Sequence, residues 1–257
     1  MGETDDSSYR RLAADLVSLP VDIIVTWGTP ALLGAKQATS TIPIVMGSIG
    51  DAVTTGAVSS LAKPGGNITG FSAQNYELEA KRLELLRGLA PQAVRIAALA
   101  NRGNAYTAAA MGSLRSIAVS SNVELLPIEA EATGGLDDAL DKLRSSRADA
   151  VMMLSVPAFL PYRQKIIAFM AANRLPAIYP YTEFVKAGGL IAYATDFDAL
   201  YCRAADYVDK ILRGNAPGDM PVQQADRFTL VVNLTTAKAL GLTVPQSILA
   251  RADEVVE

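Results

Sequence analysis

Histidine is absent from this 257-residue chain, and cysteine occurs once, at Cys202. The first absence removes Ser-His-Asp and Cys-His catalysis, the His-based zinc motifs and every His-ligated metal. The second removes an internal disulfide and any Cys-x-x-Cys centre. So few cysteines suit the cytosol and, equally, a disulfide-free periplasmic protein. No apolar run reaches the roughly 18 residues that a membrane span needs. Basic residues are no majority: 23 Lys and Arg face 26 Asp and Glu, for a net charge of −3. No positive field exists to hold a phosphate backbone, so nucleic acid is not an expected partner. The opening Met1-Gly2-Glu3-Thr4-Asp5-Asp6 is acidic, without the basic start and apolar stretch of a signal peptide. Walker A, G-x-G-x-x-G and G-x-S-x-G patterns are missing too. The expectation is no cofactor, no catalytic residue and no metal site.

What is present is alternation. Half the chain is hydrophobic and 19% is charged, a globular balance. Short, nearly continuous apolar runs rich in Val, Ile and Leu occur at 21–27, 42–46, 67–71, 95–100, 123–128, 148–154, 177–179, 190–194 and 228–232. Strands of a parallel sheet covered on both faces read this way. Helix-length stretches separate them, at 29–38, 77–89, 106–119, 135–147, 159–173 and 200–212. The stretch 77–89 sets Leu78, Arg82, Leu85, Leu86 and Leu89 at helical spacing. Strands alternating with helices predict an α/β fold built from right-handed βαβ units. Turn clusters at Lys63-Pro64-Gly65-Gly66-Asn67 and Gly188-Gly189 interrupt the pattern. The expected layout is two doubly wound parallel-sheet lobes with a cleft between. Residues 1–70 plus 195–224 form the first, and 71–194 plus 225–257 the second.

In such sheets a ligand sits beyond the carboxyl ends of the strands. After the first strand comes Gly28-Thr29-Pro30, where Thr29 either caps a helix with Pro30 at its first position or helps its free N–H groups hold a carboxylate. After the second comes Gly47-Ser48-Ile49-Gly50-Asp51. There the glycines would admit a ligand closely, and Asp51 is an amine partner or a surface turn residue. Asn101 and Asn104 offer amides to a polar ligand or cap a turn. Ser155 is a ligand contact or a loop residue. Tyr181, Thr182 and Phe184 lie in an aromatic cluster that flanks a flat ligand or packs under a loop. Asp196 is a second amine partner.

Several stretches carry a resemblance. They are Val21-Asp22-Ile23-Ile24-Val25 with Gly28-Thr29-Pro30-Ala31, then Leu61-Ala62-Lys63-Pro64-Gly65-Gly66-Asn67-Ile68-Thr69-Gly70, then Lys81-Arg82-Leu83-Glu84-Leu85-Leu86. Ala187-Gly188-Gly189-Leu190 and Asn233-Leu234-Thr235-Thr236-Ala237-Lys238-Ala239-Leu240-Gly241-Leu242 complete the set. Together they resemble the ABC transporter substrate-binding family, whose better-understood members take up tryptophan or related amino acids. The resemblance implies a type I periplasmic-binding-protein fold and a non-enzymatic receptor that closes two lobes on a small amino-acid-like or aromatic carboxylate ligand. It also implies an ABC permease as partner and a periplasmic or cell-envelope location. The chain departs from the family pattern at Asp51-Ala52, at Asn101-Arg102-Gly103-Asn104 and at Ala192-Tyr193-Ala194. By the same comparison the opening strand–helix–strand of the first lobe is absent. The run 21–27 then lies at a sheet edge, and a homodimer through the first lobe is expected, unless the N-terminal helix covers the exposed patch within one chain. The alternative to a receptor is a cytosolic α/β isomerase or lyase using cleft carboxylates.

Overall fold

The computed structural model describes residues 6–73, 75–102, 105–131 and 135–257. In chain order it opens with α1 (Asp6–Val17), β1 (Ile24–Trp27), α2 (Thr29–Ala38), β2 (Ile44–Ile49) and β3 (Ile68–Ser72). Next come α3 (Asn75–Leu89), β4 (Arg95–Asn101), α4 (Ala105–Ser120), β5 (Glu124–Ala130), α5 (Leu136–Ser145) and β6 (Ala150–Met153). Then follow α6 (Arg163–Ala172), β7 (Ala177–Tyr179), α7 (Thr182–Lys186), β8 (Ile191–Thr195) and α8 (Phe197–Leu212). The chain closes with β9 (Gln223–Gln224), β10 (Phe228–Asn233), α9 (Leu234–Ala239), α10 (Gln246–Leu249) and β11 (Glu254–Val256). Two compact units emerge. One holds Met1–Gln74, Asn104–Tyr106 and Asp196–Arg227; the other holds Asn75–Gly103, Thr107–Thr195 and Phe228–Glu257.

The first unit carries a parallel four-stranded sheet in the order β1-β2-β3-β9. Every residue of β2 and β3 is buried, so both faces of these strands are covered. Their side chains join Leu32 and Ala35 of α2 and Ala13 of α1 in one core. Helix α1 lies close on α2, where a Cβ at Gly34 would stand 3.0 Å from the Tyr9 carbonyl oxygen. Gly70 has φ +129, and a Cβ there would lie 2.3 Å from the Met46 carbonyl oxygen. Only glycine fits between β2 and β3 at this point. In the Pro-Gly-Gly-Asn turn, Gly65 and Gly66 take φ of +68 and +64. The Asn67 amide then donates to the Ile42 carbonyl at 2.7 Å, tying the turn to the start of β2.

The run 21–27 lies at a sheet edge, as expected: β1 ends the sheet and is buried on one face only. Ile24 and Thr26 point inward, while Val25 and Trp27 are 54% and 39% exposed. The run 123–128 is a second edge, and Pro127, with no N–H to donate, is tolerated there.

The second unit holds a seven-stranded sheet in the order β11-β10-β8-β7-β6-β4-β5. It is not wholly parallel as the pattern predicted. β10 runs antiparallel to β8, with Phe228 opposite Thr195 and Val232 opposite Ile191. The chain leaves this sheet at the end of β8 and returns at that same end, so the returning strand must run the other way. The helix predicted at 159–173 divides into a 3₁₀ segment, Pro157–Tyr162, and α6. Pro161 lies within the first, and its missing N–H and its ring oppose a continuous α-helix. Gly188 and Gly189 form a tight turn inside this unit. A Cβ on Gly189 would meet the Tyr179 ring at 2.6 Å.

Candidate functional site

At the carboxyl ends of β1 and β2 the first unit brings together Gly28, Thr29, Pro30 and Ser48. Gly28, not Thr29, is the N-cap of α2, with φ +83 and no side-chain cap. Its N–H donates to the Ser48 carbonyl at 2.9 Å. Thr29 and Ser48 are buried. The Asp51 carboxylate accepts from the N–H groups of Val53 (2.9 Å) and Thr54 (2.7 Å), so it already caps its own turn. Asp196 likewise caps α8 by accepting from the Ala199 N–H at 2.9 Å. The room that Gly47 and Gly50 leave is filled by protein, contrary to the expected ligand approach. A Cβ on Gly47 would meet Tyr201 at 2.9 Å, and one on Gly50 would meet Tyr106 at 2.5 Å. Trp27 sits edge-on to Phe197 and Tyr201, at 6.2 and 6.1 Å between ring centroids. Sequence reading missed this cluster, because its members lie some 170 positions apart in the chain and meet only when α8 packs on the sheet.

In the second unit, Asn101 ends β4 and Ser155 follows β6. The two strands are neighbours in parallel register, with Leu99 opposite Met153. Both residues therefore stand at the carboxyl edge of the sheet. The Asn101 Oδ1 and the Thr107 hydroxyl are buried and have no hydrogen-bond partner among the described residues. Asn104 lies outside the described residues. Tyr181, Thr182 and Phe184 open α7 after β7. Phe184 is fully buried, its ring stacked on Tyr179 at 4.8 Å and 8°. Packing under a loop thus accounts for that ring. Burial pushes the Tyr179 phenol far above its usual value.

A third group joins this edge. Glu79 and Arg82, three residues apart on α3, form an ion pair of 2.9 Å with side chains 0% and 1% exposed. Arg82 Nη1 donates to Ser155 Oγ at 3.1 Å, and Arg82 Nε donates to the Tyr193 carbonyl at 2.8 Å. The Ser155 N–H in turn donates to Glu79 Oε1 at 3.3 Å. The sequence held the signal: Arg82 occupies an apolar face among Leu78, Leu85 and Leu86, where a charge needs a buried partner. A separate cavity of about 190 Å³ lies at the opposite end of this sheet, where Ala177 begins β7 and Leu190 precedes β8. Ile167, Met170, Thr236 and Leu240 also line it, and none of the sequence-predicted site residues does. Among the described residues no cluster of acidic or Cys side chains could hold a metal, and no helix is long and apolar enough to cross a membrane.

The family model for ABC transporter substrate binding proteins matches residues 3–256. The chain belongs to the ABC transporter substrate-binding protein family. This family consists of substrate-binding receptors rather than enzymes, which bind small molecules, work with ABC permeases and are typically extracytoplasmic. A relative, the tyrosine-binding protein of Clostridioides difficile, is 30% identical over 243 residues, covering 93% of this chain and 69% of its own. A conserved domain protein from Vibrio cholerae superposes with a TM-score of 0.91 at 27% identity, over 98% of this chain and 84% of its own. An ABC domain from Streptococcus pneumoniae, solved with L-Trp, gives 0.91 at 26% identity, over 99% of this chain and 87% of its own. The fold is therefore that of type I periplasmic-binding-protein-like solute receptors, as the sequence resemblance implied.

Proposed function

We propose that this chain is the extracytoplasmic receptor of an ABC importer and captures a small aromatic α-amino acid without altering it. The observation that carries this reading is the buried Asn101 Oδ1 at the carboxyl end of β4, which has no hydrogen-bond partner among the described residues. An orphaned buried polar group costs about 1–3 kcal/mol. Asn101 Oδ1 stands in that condition on the strand that neighbours the one leading to Ser155, and the ammonium of an amino acid would supply the missing donor. Relatives described as binding tyrosine and L-Trp support the aromatic class.

Calorimetry and thermal shift with L-tyrosine, L-tryptophan and L-phenylalanine test the reading. At a hundredfold excess over the dissociation constant the expected stabilisation is about 2.7 kcal/mol. No gain with any of the three would refute it. Recovery of a chemically changed amino acid would instead favour an isomerase or lyase.

We also infer that two copies associate through the first unit. Val25 and Trp27 are exposed apolar side chains on β1, which is an open edge strand, and Leu12, Leu16 and Leu19 in and just after α1 are exposed too. A two-fold pairing would cover them. Val25→Lys is the informative change, since Ile24 faces the core and a charge there would disrupt the fold. Light scattering of the unaltered chain should report a dimer, and Val25→Lys a monomer. A monomer at every concentration would end the idea.

A further inference from the structure

The buried Glu79–Arg82–Ser155 group does more than fill space. Ser155 Oγ accepts from Arg82, so its own proton is left to donate, and among the described residues no acceptor takes it. Arg82 spends Nε on the Tyr193 carbonyl and Nη1 on Ser155 and Glu79. Its Nη2 donates no hydrogen bond among the described residues. Two donors, one of them cationic, thus stand uncommitted beside the end of β6. Accepting from a guanidinium also polarises the hydroxyl and makes it a stronger donor. The chemical complement of a guanidinium N–H beside a hydroxyl is a carboxylate.

We propose that Arg82 and Ser155 receive the carboxylate of the ligand, with Glu79 as the positioning residue that holds both in place before the ligand arrives. This rests on the amino-acid reading given above, and it moves the carboxylate from the helix start at Thr29 to the second unit. Glu79 has a double effect. Its Oε1 fixes the Ser155 backbone and the guanidinium, which lowers the ordering cost of binding. Its negative charge also neutralises Arg82 in the empty site and tempers the attraction for an arriving anion.

The test compares affinity for L-tyrosine with affinity for L-tyrosinamide, which keeps the ring and the amine but lacks the carboxylate. The unaltered chain should prefer the acid by at least about tenfold, equivalent to about 1.4 kcal/mol. Ser155→Ala should cut that preference several-fold, and Arg82→Met should abolish it. Glu79→Gln should widen it, because the amide oxygen keeps both bonds while the charge is gone. A purely structural pair would lower the affinity for both compounds equally and leave the ratio alone. If Arg82→Met is too unstable to assay, Ser155→Ala decides alone. An unchanged ratio in Ser155→Ala overturns the proposal. Failure of the unaltered chain to bind either compound would count against the amino-acid reading instead.

Discussion

Breaking the Glu79–Arg82 pair one side at a time should cost far more than its single ion-pair contact suggests. Both side chains are out of water and 2.9 Å apart. Arg82→Met leaves a buried carboxylate without its counter-charge, and Glu79→Gln leaves a buried guanidinium. Either half alone should destabilise the second unit by about 3–5 kcal/mol, the range for an uncompensated buried charge. The double variant Glu79→Gln/Arg82→Met removes both charges at similar volume. It still deprives the Tyr193 carbonyl and Ser155 Oγ of their donor, at about 1 kcal/mol each. The double variant should therefore lose about 2–3 kcal/mol, well short of the sum of the singles, with a coupling energy above about 2 kcal/mol. The control lies on the same helix: Lys81 and Glu84 form an exposed pair, and Lys81→Ala should cost under about 1 kcal/mol. Urea unfolding followed by circular dichroism gives all four values. Singles below about 1 kcal/mol that add to the double would refute the argument, since the charges would then be solvated.

Gly70→Ala should be among the most damaging single-methyl additions. The φ of +129 disfavours any side chain, the methyl would meet backbone at 2.3 Å, and a loss of about 2–5 kcal/mol combines strain with overpacking. A urea midpoint within error of the unaltered chain would contradict it. Asp196→Ala should cost about 1 kcal/mol by removing the cap of α8, read as a lower melting temperature; no change would mean that solvent satisfies the Ala199 N–H equally well. Tyr179, Tyr193, Tyr201 and Tyr207 all have phenols raised above the ordinary value by desolvation. These groups bind their protons more tightly in the folded state, so their contribution is fully present below about pH 10 and is lost as pH rises beyond it. Urea midpoints between pH 8 and 11.5 should fall only in the upper part of that range, and a flat profile would count against the buried phenols.

The apolar runs and helical spacings were enough to predict nine of the eleven strands among the described residues, because hydrophobic periodicity is a local property of adjacent side chains. The two missed strands, β9 and β11, have two and three residues, too short to show a period. Burial on one or both faces was not legible, since it depends on which strand comes to lie alongside. Val25 reads as well as Val45 in sequence, yet one faces solvent at a sheet edge and the other is wholly buried. The candidate site divides in the same way. Asn101 and Ser155 were legible as residues beyond strand ends. That they stand on neighbouring strands was decided by the β4–β6 pairing, which joins segments some 50 residues apart. Asp51 and Asp196 looked free as carboxylates, and only the folded backbone showed N–H groups within reach of each. Arg82 was visible as a charge on an apolar face, but its partners come from α3, β8 and the end of β6. A sequence states which groups need partners; packing alone determines which partners they meet.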